Sequence, residues 1–125
     1  MHVDVVKKSH LAPNLPYDAI KQSVLGVSYS LTLAFIGEKR ARDINRAHRK
    51  ATYVPNVLSF PLDAQTGEIY ITPLVARREA HKFNMTIRGY IGYLFIHGLL
   101  HLKGYDHGAT MEKAEKRYVT QYRLK

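Results

Sequence analysis

From Ser28 to Ile36 the chain alternates. Tyr29, Leu31, Leu33 and Phe35 fall on one side and Ser28, Ser30, Thr32 and Ala34 on the other, the period of two that predicts a strand. Gly37 breaks it. Glu38 to about Lys50 then reads as a basic amphipathic helix with an acid at its start, where the helix dipole favours one. Upstream, Val3 to Val6 predicts a short strand. Pro16 opens a helix to about Gly26, with Ala19, Ile20, Val24 and Leu25 on its apolar side. Downstream, Asn56 to Leu62 is β-rich and Gly67 to Thr72 alternates again. Asp63 to Gly67 connects the two as the loop of an antiparallel pair. Pro73 can seat the first turn of a helix running to about Phe83.

The longest pattern is helical. Thr86 to Leu102 carries Ile87, Tyr90, Ile91, Leu94, Phe95 and Leu99 over a broad surface, which predicts a central helix buried on several sides. Gly89, Gly92 and Gly98 each cost it about 1 kcal/mol relative to Ala, a loss that close approach of another element would offset. Met111 to about Tyr122 predicts a last helix. No repeat, low-complexity segment or linker interrupts the pattern. The expectation is one α+β domain over residues 1–125, with a mixed sheet of about four strands and about five helices.

Composition narrows the partners. With 46% hydrophobic and 23% charged residues the 125-residue chain is globular. It has no cysteine, so disulfides and thiolate zinc sites are excluded. The first eight residues lack the apolar core of a signal peptide. The apolar-rich stretch from Gly89 to Leu102 is too short to span a bilayer. A cytoplasmic protein with no membrane partner is expected. The formal charge of +9 attracts polyanions, above all nucleic acid. The excess concentrates at Lys39, Arg40, Arg42, Arg46, Arg49 and Lys50, diluted by Glu38 and Asp43.

The chemistry sits at the end of the central helix. His97 and His101 are four residues apart and share a helix face. Gly104 can end the helix in a left-handed conformation, and the returning chain can bring in His107. Three imidazoles with a fourth position open to water describe a catalytic zinc site. The spacing is that of the long zinc-protease motif H-E-x-x-H-x-x-G-x-x-H, except that Gly98 replaces the glutamate base. Gly98 either allows close packing or leaves room beside the ion. The remaining histidines, His2, His10, His48 and His81, show no such arrangement. Three imidazoles suit Zn²⁺, one per chain, and also other divalent transition metals.

The run from His97 to His107 resembles the H-G-x-L-H-L-x-G-Y-D-H motif of the YbeY family of endoribonucleases and ribosomal RNA maturation factors. Asn45-Arg46-Ala47-His48-Arg49, then Asn56-Val57-Leu58-Ser59-Phe60-Pro61, is similar to that family's N-x-x-(Y/W)-R and T-(D/N)-V-L-S-F-P. Gly67-Glu68-Ile69-Tyr70-Ile71 is similar to its G-(D/E)-I-x-I, and Met111 and Glu115 fit its last-helix pattern. His48 stands where the family has an aromatic residue and Pro55 where it has Thr. These departures bear on a packing contact beside Arg49 and on a hydroxyl hydrogen bond at the start of the strand. The resemblance implies a metal-dependent endoribonuclease that prefers single strands. It would act in maturation of the 3′ end of small-subunit ribosomal RNA and in ribosome quality control. Implied partners are single-stranded and ribosomal RNA, the small ribosomal subunit and assembly factors such as an Era-type GTPase.

The expected roles follow. His97, His101 and His107 hold the metal, so His97 belongs to the catalytic centre. Arg49 is the expected phosphate grip, because a guanidinium fork binds two oxygens of a tetrahedral anion. Asn56 and Ser59 either hydrogen-bond RNA from a strand edge or satisfy local backbone. Tyr105 either stacks a base or packs at the turn. Met111 fits under a metal or in a core. The general base stays open. Asp106 suits orienting an imidazole or capping the backbone; Glu112 and Glu115 suit pairing with lysines on the last helix. The competing reading is a ribosome-assembly factor that binds RNA without cutting it, its metal structural.

Overall fold

A computed structural model describes the backbone of residues 3–7 and all of residues 12–125; His2 and His10 lie outside the described residues. The chain runs β1 (Val3–Lys7), α1 (Tyr17–Leu25), β2 (Ser30–Phe35), α2 (Glu38–Arg49), β3 (Val57–Asp63) and β4 (Thr66–Ile71). It continues through α3 (Pro73–Glu79), a 3-10 turn (Ala80–Phe83), α4 (Ile87–Lys103) and α5 (Ala109–Gln121). The strands form one mixed sheet in the order β1-β2-β4-β3. β1 and β4 run parallel to β2, and β3 runs antiparallel to β4. The expected loop between β3 and β4 tightens to a turn at Ala64 and Gln65.

The alternation of β2 sorts its residues onto two cores. Leu31, Leu33 and Phe35, with Ile69 and Ile71 of β4, pack against α1, α4 and α5. Ala34 and Ile36 turn the other way and bury Ala41 of α2, with Ile44, Val54 and Tyr70 around them. The basic helix α2 therefore lies on the opposite face of the sheet from α4. On α1 the apolar side is carried by Ile20 and Val24, while Ala19 is exposed. Lys21 is fully buried instead. Its Nζ donates to the carbonyls of Gly26, Val27 and Tyr29 at 3.0, 3.3 and 2.8 Å. One ammonium thus satisfies three backbone acceptors where α1 ends.

The glycines of α4 meet neighbours that a side chain would displace. Gly89 lies against the backbone of Lys125 and Gly92 against the Leu124 side chain. A Cβ at Gly98 would sit 3.1 Å from Ile69 Cδ1 on β4. Of the two readings of Gly98, close packing on the sheet is the one realised. Thr86, expected as the first residue of the helix, caps it instead, its hydroxyl accepting from Gly89 N–H at 3.0 Å.

Candidate metal centre

The end of α4 builds most of the centre. Gly104 is left-handed, with φ 109° and ψ 5°. Its N–H bonds the His101 carbonyl at 3.0 Å, and Tyr105 N–H bonds that of Leu100 at 3.0 Å, the Schellman pattern of helix termination. This turn fixes the Tyr105 carbonyl 3.1 Å from His101 Nδ1. A carbonyl only accepts, so Nδ1 carries the hydrogen and Nε2 keeps its lone pair. Burial first, then the neighbouring His97, holds the His101 pKa below the ordinary imidazole value, which favours the neutral ring.

His97 is oriented from a different element. Its Nδ1 pairs with Glu115 Oε2 of α5. The side chains of His97 and Glu115 are 19% and 8% exposed, so solvent screens the pair poorly. The carboxylate accepts from Nδ1, which again points a lone pair out through Nε2. The two Nε2 atoms then face each other at 3.1 Å. Two ligands of a tetrahedral zinc, at bond lengths of about 2.0–2.1 Å, stand about 3.3 Å apart. Neither lone pair can bond the other; a cation between them satisfies both.

His107 closes the group. One ligand atom from each of His97, His101 and His107 lies within 4.8 Å of the others. Two rings ride on a rigid helix, and the third arrives on the exposed turn before α5. The residues fit a divalent cation by donor type, by number and by the carboxylate and carbonyl behind two of the rings. Half-buried His97 and His101 and exposed His107 leave the group open to solvent, as a catalytic rather than a closed structural site requires.

The other expected residues are spread about this point. Asn56 and His97 line one cleft of about 430 Å³. Asn56 Nδ2 donates to Glu79 Oε1 at 3.1 Å, and Tyr90 donates to the same oxygen at 2.8 Å. Ser59 shares a face of edge strand β3 with Val57 and pairs across the sheet with Ile69, the residue that meets Gly98. Arg49 stands exposed on the last turn of α2. No hydrogen bond or ion pair among the described residues involves it. Its neighbour His48 packs on Phe60 of β3 with ring centroids 5.0 Å apart, so an imidazole fills the place of the aromatic ring expected there. Met111 is core, and Tyr105 packs at the turn, half-buried.

Glu115 departs from expectation, since its partner is His97 and not a lysine. The sequence did carry a signal. Met111, Ala114 and Tyr118 make the buried stripe of α5, and Glu115 lies within it. A carboxylate on an apolar stripe calls for a buried partner. Lys21, between Ile20 and Val24, is the same kind of signal on α1.

Comparison with known proteins points to one family. A family model described as Endoribonuclease YbeY matches residues 5–123. A Mesoplasma florum protein named Endoribonuclease YbeY is 30% identical over 122 residues, covering 89% of this chain and 72% of the relative. Proteins of that name from Methylobacillus flagellatus and Helicobacter pylori are each 37% identical. The first match covers 69% of this chain and 60% of the relative, the second 76% and 69%. The chain thus spans about three fifths to seven tenths of the length of these relatives. The solution structure of a Thermotoga maritima protein superposes with a TM-score of 0.71 at 28% identity, covering 96% of this chain and 88% of that one. With nearly the whole sequence matched and the three imidazoles in place, the chain belongs to the YbeY endoribonuclease family.

Proposed function

We propose that this chain is a zinc-dependent endoribonuclease that cuts single-stranded RNA, in maturation of the 3′ end of small-subunit ribosomal RNA and in ribosome quality control. The observation that carries the reading is the pair of Nε2 lone pairs facing at 3.1 Å with both Nδ1 atoms already committed. When bound, a divalent cation acidifies water and polarises a phosphoryl oxygen. The chain's own residues do the rest. Glu115 and the Tyr105 carbonyl hold two imidazoles in the ligating tautomer. Gly98, packed on Ile69, leaves no carboxylate at the position of a peptidase base, which favours a phosphodiester over a peptide. Arg49 offers a guanidinium with no partner among the described residues, on the far side of edge strand β3. RNA crossing that edge past Ser59 and Asn56 would meet the imidazoles on one face and the cations of α2 on the other.

The test is nuclease-free protein titrated with zinc and incubated with labelled single-stranded RNA. Cleavage should rise with metal occupancy, and His97→Ala and His101→Ala should lose both metal and cleavage. Stoichiometric zinc in both variants would end the ligand assignment. RNA binding without cleavage at full occupancy would favour an assembly factor with a structural metal.

A further inference from the structure

The cleft beside His97 has a chemistry that phosphate binding does not explain. Its wall carries a run of aromatic rings. Phe83 stacks on Tyr90 at 5.4 Å and 10°, Tyr90 on Tyr93 at 5.8 Å and 25°, and Tyr93 leans on His97 at 6.2 Å and 38°. The run ends at a ring of the metal centre. Its outer member, Phe83, is 60% exposed, so burial in the core does not account for a phenyl group there.

The polar groups of the cleft are equally specific. No lysine or arginine is among the described residues that line it, so an anion would find no countercharge from them. Asn56 is the one amide among the described lining residues. Its Nδ2 faces Glu79, because a carboxylate only accepts, and its Oδ1 has no partner among the described residues. Burial, followed by the hydrogen bond to Glu79, raises the Tyr90 pKa. Burial and the carboxylates of Glu115 and Glu112 raise that of Tyr93. Both rings stay neutral. A flat, uncharged heterocycle with an N–H at its rim suits such a wall, since rings stack face to face and the rim can reach an acceptor.

We propose that the aromatic cleft formed by Phe83, Tyr90, Tyr93 and Asn56 holds the nucleobase of the nucleotide whose phosphate lies at the three imidazoles. His97 belongs to both places, which puts one nucleotide's phosphate and base within reach together. Phe83 is the stacking platform and Asn56 Oδ1 the acceptor at the rim. Only the placement of the phosphate rests on the nuclease reading; the base site stands on its own geometry.

The experiment is a cycle between protein and RNA. Zinc-loaded wild-type and Phe83→Ala proteins are each titrated with a single-stranded oligonucleotide and with the same strand made abasic at one position, scanned along its length. Binding is read by fluorescence polarisation. Loss of one stacked base weakens binding about tenfold. At one position the abasic strand should bind wild type about tenfold more weakly. Phe83→Ala, whose zinc content should be unchanged, should show no further loss there, and 2-aminopurine at that position should be quenched by wild type only. Additive losses at every position, or quenching that survives in Phe83→Ala, would overturn the base site. Cleavage by wild type alongside additive losses would leave the nuclease reading intact. A coupled loss in a protein that never cleaves would keep the base site and remove the nuclease.

Discussion

Glu115 is the residue whose removal should most cleanly weaken the metal centre without touching a ligand. Its carboxylate holds His97 Nδ1 in a pair that is largely buried on both sides. A hydrogen bond to a charged group contributes about 1.5–3 kcal/mol, which is roughly 10- to 150-fold in an equilibrium constant. Outer partners of metal-ligating histidines typically contribute about 10- to 100-fold in affinity, so the two ranges agree. Glu115→Ala removes the acceptor and frees the ring to turn; zinc should bind about 100-fold more weakly. Glu115→Gln keeps the shape and loses the charge, which is about half of such a bond, so a loss of about tenfold is expected. Glutamine adds a second fault: its amide can rotate and donate to Nδ1, which moves the imidazole hydrogen to Nε2 and removes the ligand. Competition with a chromophoric chelator at fixed pH measures all three proteins. Wild-type affinity in both variants would show that His97 is oriented by something other than α5 and that the Glu115 carboxylate has no part in holding the metal.

Three further outcomes are expected. Gly98→Glu, which restores the zinc-protease pattern, would drive a carboxylate into the packing of α4 on Ile69; about 3 kcal/mol or more should be lost, seen as a fall of roughly 10 °C in melting temperature, and a wild-type melt would refute the packing role. Arg49→Glu should slow RNA cleavage with zinc content unchanged, whereas full activity would remove Arg49 from the substrate path. Lys21→Met would leave three carbonyls without their ammonium, and urea titration should show about 2–4 kcal/mol of lost stability; an unchanged midpoint would mean the loop after α1 satisfies itself.

The legible parts of the sequence were those with a strict local period. β2, α2 and α4 fall close to where alternation and helical spacing place them, and Gly104 stops the central helix as expected. The imidazoles were legible for the same reason, being set by helix geometry and one glycine turn. What pairs across the fold was not. Nothing near His97 in the chain announces Glu115, which lies 18 residues away on another helix. Gly98 carried two readings until Ile69 was seen above it. Arg49 and His97 were expected to serve one substrate, yet they stand on helices packed against opposite faces of the sheet, because the alternation of β2 sends α2 to one side and α4 to the other. Local spacing specifies direction along an element; which elements face each other depends on sheet order, and no single segment encodes that.

The split of the imidazoles between a helix and a turn has a kinetic meaning. Two rings are locked in a seventeen-residue helix whose opening requires the core to open, while the third hangs on the short stretch between Gly104 and Gly108. An ion held by the three rings would therefore leave through that stretch. Dissociation should track the local breathing of its amides and not the global unfolding rate, so stiffening five residues would lengthen the ion's residence time while leaving the melting curve of the apo protein where it was.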